Sequence, residues 1–200
     1  EISIHENVIA CPLTEAVSEH EPGLHYFGGL ADPETKTLIQ EAIHRRGADD
    51  MQSLPEAGLG EAISVHQPEI RQPVLYGGIL FNHFGHFIVE SLSRLYAYRM
   101  VRDVHPFVLF YSQWGRPRYL EKSNFVNQIL TGLDIPPEKL IFAEQVLKIR
   151  SVMIPAQKYG FGFTRRPDEL FVKFIRSFHF QYKIPAGFNK ADKIYVSRSN

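Results

Sequence analysis

The chain has 200 residues, 44% of them hydrophobic and 15 of them Phe, which is enough to bury a sizeable core in one domain. Lys plus Arg and Asp plus Glu both number 22, so the net charge is zero; this argues against a nucleic-acid partner, whose binders carry a basic excess. The one cysteine, Cys11, allows no internal disulfide and no cysteine-based zinc site.

No apolar run reaches the roughly 18 residues of a membrane span. The first residues, EISIHENVIACP, lack a signal-peptide pattern, so the expected setting is cytoplasmic. Residues 1 to 33 hold short extended stretches, such as Glu6 to Ala10 and His25 to Phe27, and read as an irregular lead-in with one hairpin. His5, His20 and His25 lack ligand spacing and read as surface histidines. Asp32-Pro33 then predicts a helix from Glu34 to Arg46, with Asp32 as N-cap and Gly47 as the stop. Residues 47 to 72 are mixed. Ala62 to Gln67 reads as a short strand, and GLGEAI lacks the spacing of a phosphate-binding loop.

From Pro73 the pattern is regular. Val74 to Tyr76 and Ile79 to Phe81 are strand-like, and a proline-free helix follows from about Phe84 to Arg102. Phe107 to Tyr111, FVLFY, has the continuous apolar character of a strand buried on both faces. Tyr119 to Gly132 reads as a helix, Leu140 to Phe142 and Leu147 to Ile154 as strands, Asp168 to Tyr182 as a helix and Lys193 to Ser197 as a last strand. Strands alternating with helices of this length predict an α/β fold with a mainly parallel sheet flanked by helices. The loops after FVLFY and SVMIP and the SRSN ending should gather at one sheet edge, where such folds bind ligands.

The helix after Gly77-Gly78 carries the candidate site. At 100° per residue, Phe84, Ile88, Leu92 and Leu95 share a wide apolar face, with Phe87, Val89 and Tyr96 at its edges. His83, His86, Glu90 and Arg94 fall together on the narrow remaining stripe. A helix that is apolar almost all round is buried, and buried charge is costly unless paired. His86, Glu90 and Arg94 at i, i+4 and i+8 would stack, with Glu90 held ionised by Arg94 and orienting His86 as a general base. The competing reading is a salt-bridged, solvated stripe.

A metal reading uses His83, His86 and Glu90 as ligands, but H-F-G-H lacks the H-E-x-x-H arrangement of zinc peptidases. Arg165-Arg166 could bind a phosphate or carboxylate, and Trp114 with Tyr111, Arg116 and Arg118 could form a sugar-stacking rim. A solvated pair and local packing are the plainer readings of these two groups. The stripe Phe171, Phe174, Phe178 and Tyr182 reads as core.

The pattern G-G-x-x-x-N-x-x-x-H-F-x-x-E-x-L-x-R-L from Gly77 to Leu95 resembles glycosyltransferase family 61, with GLDIPPEKL, LKIRSVMIP and the terminal KIYVSRSN following in the family's order. The resemblance spans about residues 70 to 200 and implies a two-lobed GT-B enzyme. Such an enzyme moves sugar from a nucleotide-sugar donor to a glycan acceptor with inversion and without a bound metal or other cofactor. It further implies a role in surface or capsular polysaccharide synthesis, with peripheral membrane association left open. On this view residues 1–70 are a lead-in with one helix, 71–192 a Rossmann-like acceptor-side lobe, and 193–200 the start of the link to a donor-side lobe. Matching the motif position by position, His86 and Glu90 are the catalytic candidates. Asn82, His83, Arg94, Ser197 and Arg198 are the substrate-binding candidates, with Arg94 and Arg198 assigned to the diphosphate. A non-catalytic glycan- or partner-binding lobe is the alternative, and a metal-dependent hydrolase the more distant one.

Overall fold

The computed structural model describes residues 1–15, 25–54, 67–112, 125–160 and 166–177. The fold is α/β, built on a mixed nine-stranded sheet. In chain order its strands begin with β1 (Ile2–Glu15), β2 (Tyr26–Asp32) and β3 (Thr37–Leu38). A separate two-stranded ribbon, β4 (Arg45–Arg46) and β5 (Asp49–Asp50), comes next. Then follow β6 (Gln52–Ser53), β7 (Glu69–Ile70) and β8 (Val74–Leu80). The helices α1 (Phe84–Val89) and α2 (Tyr98–Val101) lead to β9 (Phe107–Ser112), and α3 (Phe125–Gly132) to β10 (Leu140–Phe142). β11 (Leu147–Pro155) and α4 (Glu169–Arg176) complete the described elements.

The sheet order is β10-β9-β8-β11-β1-β2-β3. The first four strands are mutually parallel, as the alternating pattern predicts. The remainder makes the sheet mixed: β7 pairs parallel to β11 and β6 parallel to β2, but β1 runs antiparallel to both β11 and β2, and β2 antiparallel to β3. The described residues of this stretch, 1–15 and 25–33, are therefore no irregular lead-in: they form β1 and β2, paired antiparallel. β1 pairs with β11 from Ile2↔Pro155 to Ala10↔Leu147 and belongs to the same sheet as the parallel block.

Two cores result. One lies under the helices and joins Leu75, Leu80, Phe87, Leu92, Leu95, Phe110 and the expected Phe171 and Phe174. The other joins Val8, Ala10 and Leu30 of the antiparallel strands to Tyr76, Leu109 and Tyr111 of β8 and β9. Strands separated within the sheet thus share one core, so the antiparallel part curls over the face that the helices leave open. The turn at Asn7, with φ 55°, lies within the curled strand.

Two helix expectations fail for local reasons. The Glu34–Arg46 segment forms a turn, β3, one 3-10 turn (Gln40–Ala42) and β4. Asp32 caps a turn instead of a helix: its Oδ1 accepts from the N–H of Glu34 and Thr35 at 2.7 and 3.2 Å, and Lys36 sits at φ 57°. Asp-Pro serves turns as well as it serves helix starts. The Phe84–Arg102 helix is interrupted at Glu90 and runs as 3-10 from Ser91 to Ala97 before α2. Ser93 turns its hydroxyl onto the Glu90 carbonyl at 2.6 Å, while Ser91 donates to Ile79 O and accepts from Phe81 N–H, both at 2.9 Å. Serine hydroxyls that bind backbone in this way compete with the helical ladder. Among the described residues no helix is long and apolar enough to cross a membrane.

Candidate functional site

β8 comes first in the parallel block. The chain then adds β9 and β10 on one side and returns to add β11 on the other. In parallel sheets ligands bind outside the carboxyl ends of the strands, where this order reverses. Here the reversal lies between β8 and β11, and the candidate residues gather there: Asn82 and His83 follow β8, and α1 and the 3-10 helix carry His86, Glu90 and Arg94.

β8 runs unbroken through Gly77-Gly78, where the sequence suggests two strands, with a register shift against β9 between Tyr76 and Gly78. A Cβ on Gly77 would lie 2.3 Å from the buried Phe110 ring. Gly78 has φ 91°, which L side chains rarely adopt, and Arg94 crosses the strand beside it. The glycine pair therefore makes room over β8 for the Phe110 ring of the neighbouring strand and for the Arg94 side chain from the 3-10 helix.

The centre of the site is the Glu90 carboxylate, whose side chain is fully buried. His44 Nε2 donates to Oε2 at 2.7 Å, and Arg46 grips both oxygens, Nε to Oε2 at 2.7 Å and Nη2 to Oε1 at 2.9 Å. His86 Nδ1 meets Oε1 at 2.5 Å. Each oxygen thus receives two donors, filling the four lone-pair positions of a carboxylate. Burial pushes the Glu90 carboxyl up, but hydrogen bonds from His44 and Arg46, helped by the His44 charge and by His86, outweigh it and hold the group at about 2. Glu90 is therefore ionised and accepts only, so the facing nitrogens, His86 Nδ1 and His44 Nε2, must carry the protons.

The two histidines differ in exposure. His44 is buried, and desolvation lowers its pKa despite the bond to Glu90. His86 has a side chain 31% exposed, so its ring is reachable from solvent. Phe81 forms the floor: its ring lies 5.1 Å from the Arg46 guanidinium carbon, 5.6 Å from the His44 ring and 5.7 Å from the His86 ring. His83 is exposed, with its ring centroid 5.1 Å from that of His86, and Asn82 is half-buried.

Of the expected ridge, the His86–Glu90 pair forms, and the Glu90–Arg94 stack does not. A 3-10 helix turns about 120° per residue, so a spacing of four carries Arg94 roughly a third of a turn away from Glu90. Its guanidinium is buried over the Tyr76 ring, with its carbon 5.3 Å from the ring centroid. It donates to the carbonyls of Glu41, Ala42, Ile43 and Pro155, the first three at 2.8, 3.4 and 3.1 Å. Arg46 holds the carboxylate in its place. Sequence reasoning missed both Arg46 and His44, which lie 44 and 46 residues from Glu90; the only local signal is the cluster of three basic residues in His44-Arg45-Arg46.

The metal reading meets a chemical obstacle, because a carboxylate already accepting four hydrogen bonds has no lone pair for a cation. No group of three His, Cys, Asp or Glu among the described residues is placed to hold a metal ion. Arg166 is exposed and Tyr111 is buried. Trp114, Arg116, Arg118, Arg165, Ser197 and Arg198, the GLGEAI segment and the Lys193–Ser197 strand lie outside the described residues. No family model, no curated protein and no solved structure matches the chain.

Proposed function

We propose that the chain is the acceptor-side part of an inverting, metal-independent glycosyltransferase, with His86 as the general base and Glu90 as its orienter. The observation that carries this reading is the His86 Nδ1–Glu90 Oε1 contact of 2.5 Å. It joins a solvent-reachable imidazole to a buried anion, the arrangement used to fix a histidine tautomer and stabilise the imidazolium formed during proton transfer. Glu90 itself is unsuited to be the base, being held near 2 with every lone pair in use.

In the proposed step His86 Nε2 takes the proton of an acceptor hydroxyl while that oxygen bonds to the anomeric carbon of the donor sugar. The bond from that carbon to the nucleoside diphosphate breaks, and its electron pair leaves on the phosphate oxygen. The imidazolium then faces the Glu90 anion through Nδ1. Supporting a sugar-nucleotide substrate is the family resemblance of the Gly77–Leu95 motif. Asn82 and His83 flank the base as acceptor contacts, Ser197 remains a substrate-binding candidate, and Arg198 keeps the diphosphate role which that resemblance gives it. Arg94 is withdrawn from that role, because a phosphate would have to displace the carbonyls it already binds.

The test is turnover of a panel of nucleotide sugars, with and without glycan acceptors, by the protein and by its His86→Ala variant. A loss of about 100-fold or more in the folded variant supports a base. Equal turnover by both proteins would sink the assignment, and no turnover by either would favour a non-catalytic glycan-binding lobe.

A further inference from the structure

We propose that Arg94 and Gln157 are positioning residues: they dock the 41–46 strap by its main chain and so set where His44 and Arg46 meet Glu90. The inference rests on the reading of His86 and Glu90 as the working pair.

The strap has little to hold itself. It consists of the end of one 3-10 turn and a two-residue strand whose only strand partner among the described residues is the exposed β5. Such short pieces are unstable alone. A cavity of about 250 Å³ lies along it, lined by Ser3, Gln40, Glu41, Arg45, Arg94 and Gln157 among others, so on that side packing does not fix it.

Ala42 and Ile43 are buried in the apolar clusters, and the Met51 N–H donates to the His44 carbonyl at 2.8 Å; the rest of the strap's main chain is held by side chains from outside it. Arg94 donates to three successive carbonyls, Glu41, Ala42 and Ile43. Gln157, just beyond the end of β11, mimics a strand partner for Arg45: its Oε1 accepts the Arg45 N–H at 3.0 Å and its Nε2 donates to the Arg45 carbonyl at 2.9 Å. Gln52 Oε1 accepts the His44 N–H at 2.8 Å. Arg94 also donates to Pro155 O, so one guanidinium ties the strap to the end of β11.

The buried Arg94 cation has no carboxylate within ion-pair distance among the described residues. Four carbonyl dipoles balance it instead. A guanidinium suits this task, since its planar fork reaches several acceptors at once. The strap in turn supplies three of the four donors on Glu90, namely one from His44 and two from Arg46. If the strap loosens, Glu90 stays enclosed with only His86 as donor, and its ionised form loses support.

The test uses Gln157→Ala and Arg94→Met, with Arg94→Lys as the conservative variant, and reads the Glu90 carboxyl titration by carbon NMR. Amide exchange at His44 and Arg45 is followed in the same proteins. In folded Gln157→Ala the Glu90 carboxyl is expected to titrate at least about one pH unit above the parent, and both amides to exchange at least about tenfold faster. Arg94→Lys should recover part of the Arg94→Met effect. Arg94 is buried, and should its Met variant fail to fold, Gln157→Ala decides alone. An unchanged Glu90 titration in folded Gln157→Ala overturns the proposal. These readouts need no substrate. If they move as expected while the parent protein turns over no nucleotide sugar, the positioning role stands and the transferase reading falls.

Discussion

Glu90→Gln keeps the shape of the site's central side chain and removes its charge. The amide retains one oxygen with two lone pairs and turns an NH₂ group towards two of the four donors that now converge on the carboxylate. The Glu90 carboxyl stands at about 2 in the folded protein against an ordinary 4.5. At about 1.4 kcal/mol per pH unit, this is about 3 kcal/mol of stability at neutral pH. Because the folded value is the lower one, the unfolded chain takes up the proton first as the solution is acidified. The contribution is therefore complete above the ordinary value of 4.5, declines below it and is gone at about 2. His44 is also lowered by folding and acts with the same sign, beginning at higher pH, near its ordinary 6.5. The difference between the parent and Glu90→Gln in urea denaturation at about pH 5.5 and about pH 3.5 gives the Glu90 share, expected to be about 1.3 kcal/mol. Glu90→Gln should be less stable than the parent by about 3 kcal/mol at about pH 7.5 and should lack that part of the acid loss. A variant within about 0.5 kcal/mol of the parent at neutral pH, or one that loses stability as steeply below about pH 5.5, would refute the reasoning.

Two other substitutions separate structure from chemistry. Gly78→Ala places a side chain at φ 91° beside the Arg94 crossing and should destabilise by about 1–3 kcal/mol in urea melts; an unchanged midpoint would contradict the need for glycine. His86→Ala removes a ring that is 31% exposed and one of four donors on Glu90, so it should cost about 1 kcal/mol of stability while lowering the proposed transferase turnover by about 100-fold or more. A cost above about 3 kcal/mol would mark His86 as chiefly structural.

The parallel block was legible because its signals are local. FVLFY, LKIRSVMIP and the Phe171–Phe174 part of the aromatic stripe on α4 are apolar runs or helical periods, and they sit where their patterns place them; Phe178 and Tyr182 lie outside the described residues. The N-terminal strands were less legible: β1 mixes polar and apolar residues across a positive-φ turn at Asn7, which blurs the period-two signal. Asp32-Pro33 signalled a start without distinguishing helix from turn.

At the site, the i, i+4 spacing correctly paired His86 with Glu90, because those residues bracket a genuine turn of α1. The same rule misplaced Arg94, since Ser91 and Ser93 change the helical period between the two residues. The donors that replace Arg94 come from a strap more than 40 residues away, and no local pattern encodes that contact. What the sequence presents as a ridge of three charges is physically two devices: a carboxylate–imidazole pair, and a buried cation that holds the strap closing over it.

The most direct measurement is the proton–nitrogen correlation spectrum of the histidine rings at a pH where they are neutral, which reports the tautomer of each ring. The expected result for His86 is a proton on Nδ1, shifted strongly downfield by the 2.5 Å contact with the Glu90 carboxylate and losing that shift in Glu90→Gln, with Nε2 carrying the lone pair needed to accept a proton. A proton on Nε2 instead, with the Nδ1 signal indifferent to Glu90→Gln, would contradict the assignment of His86 as a base held by Glu90.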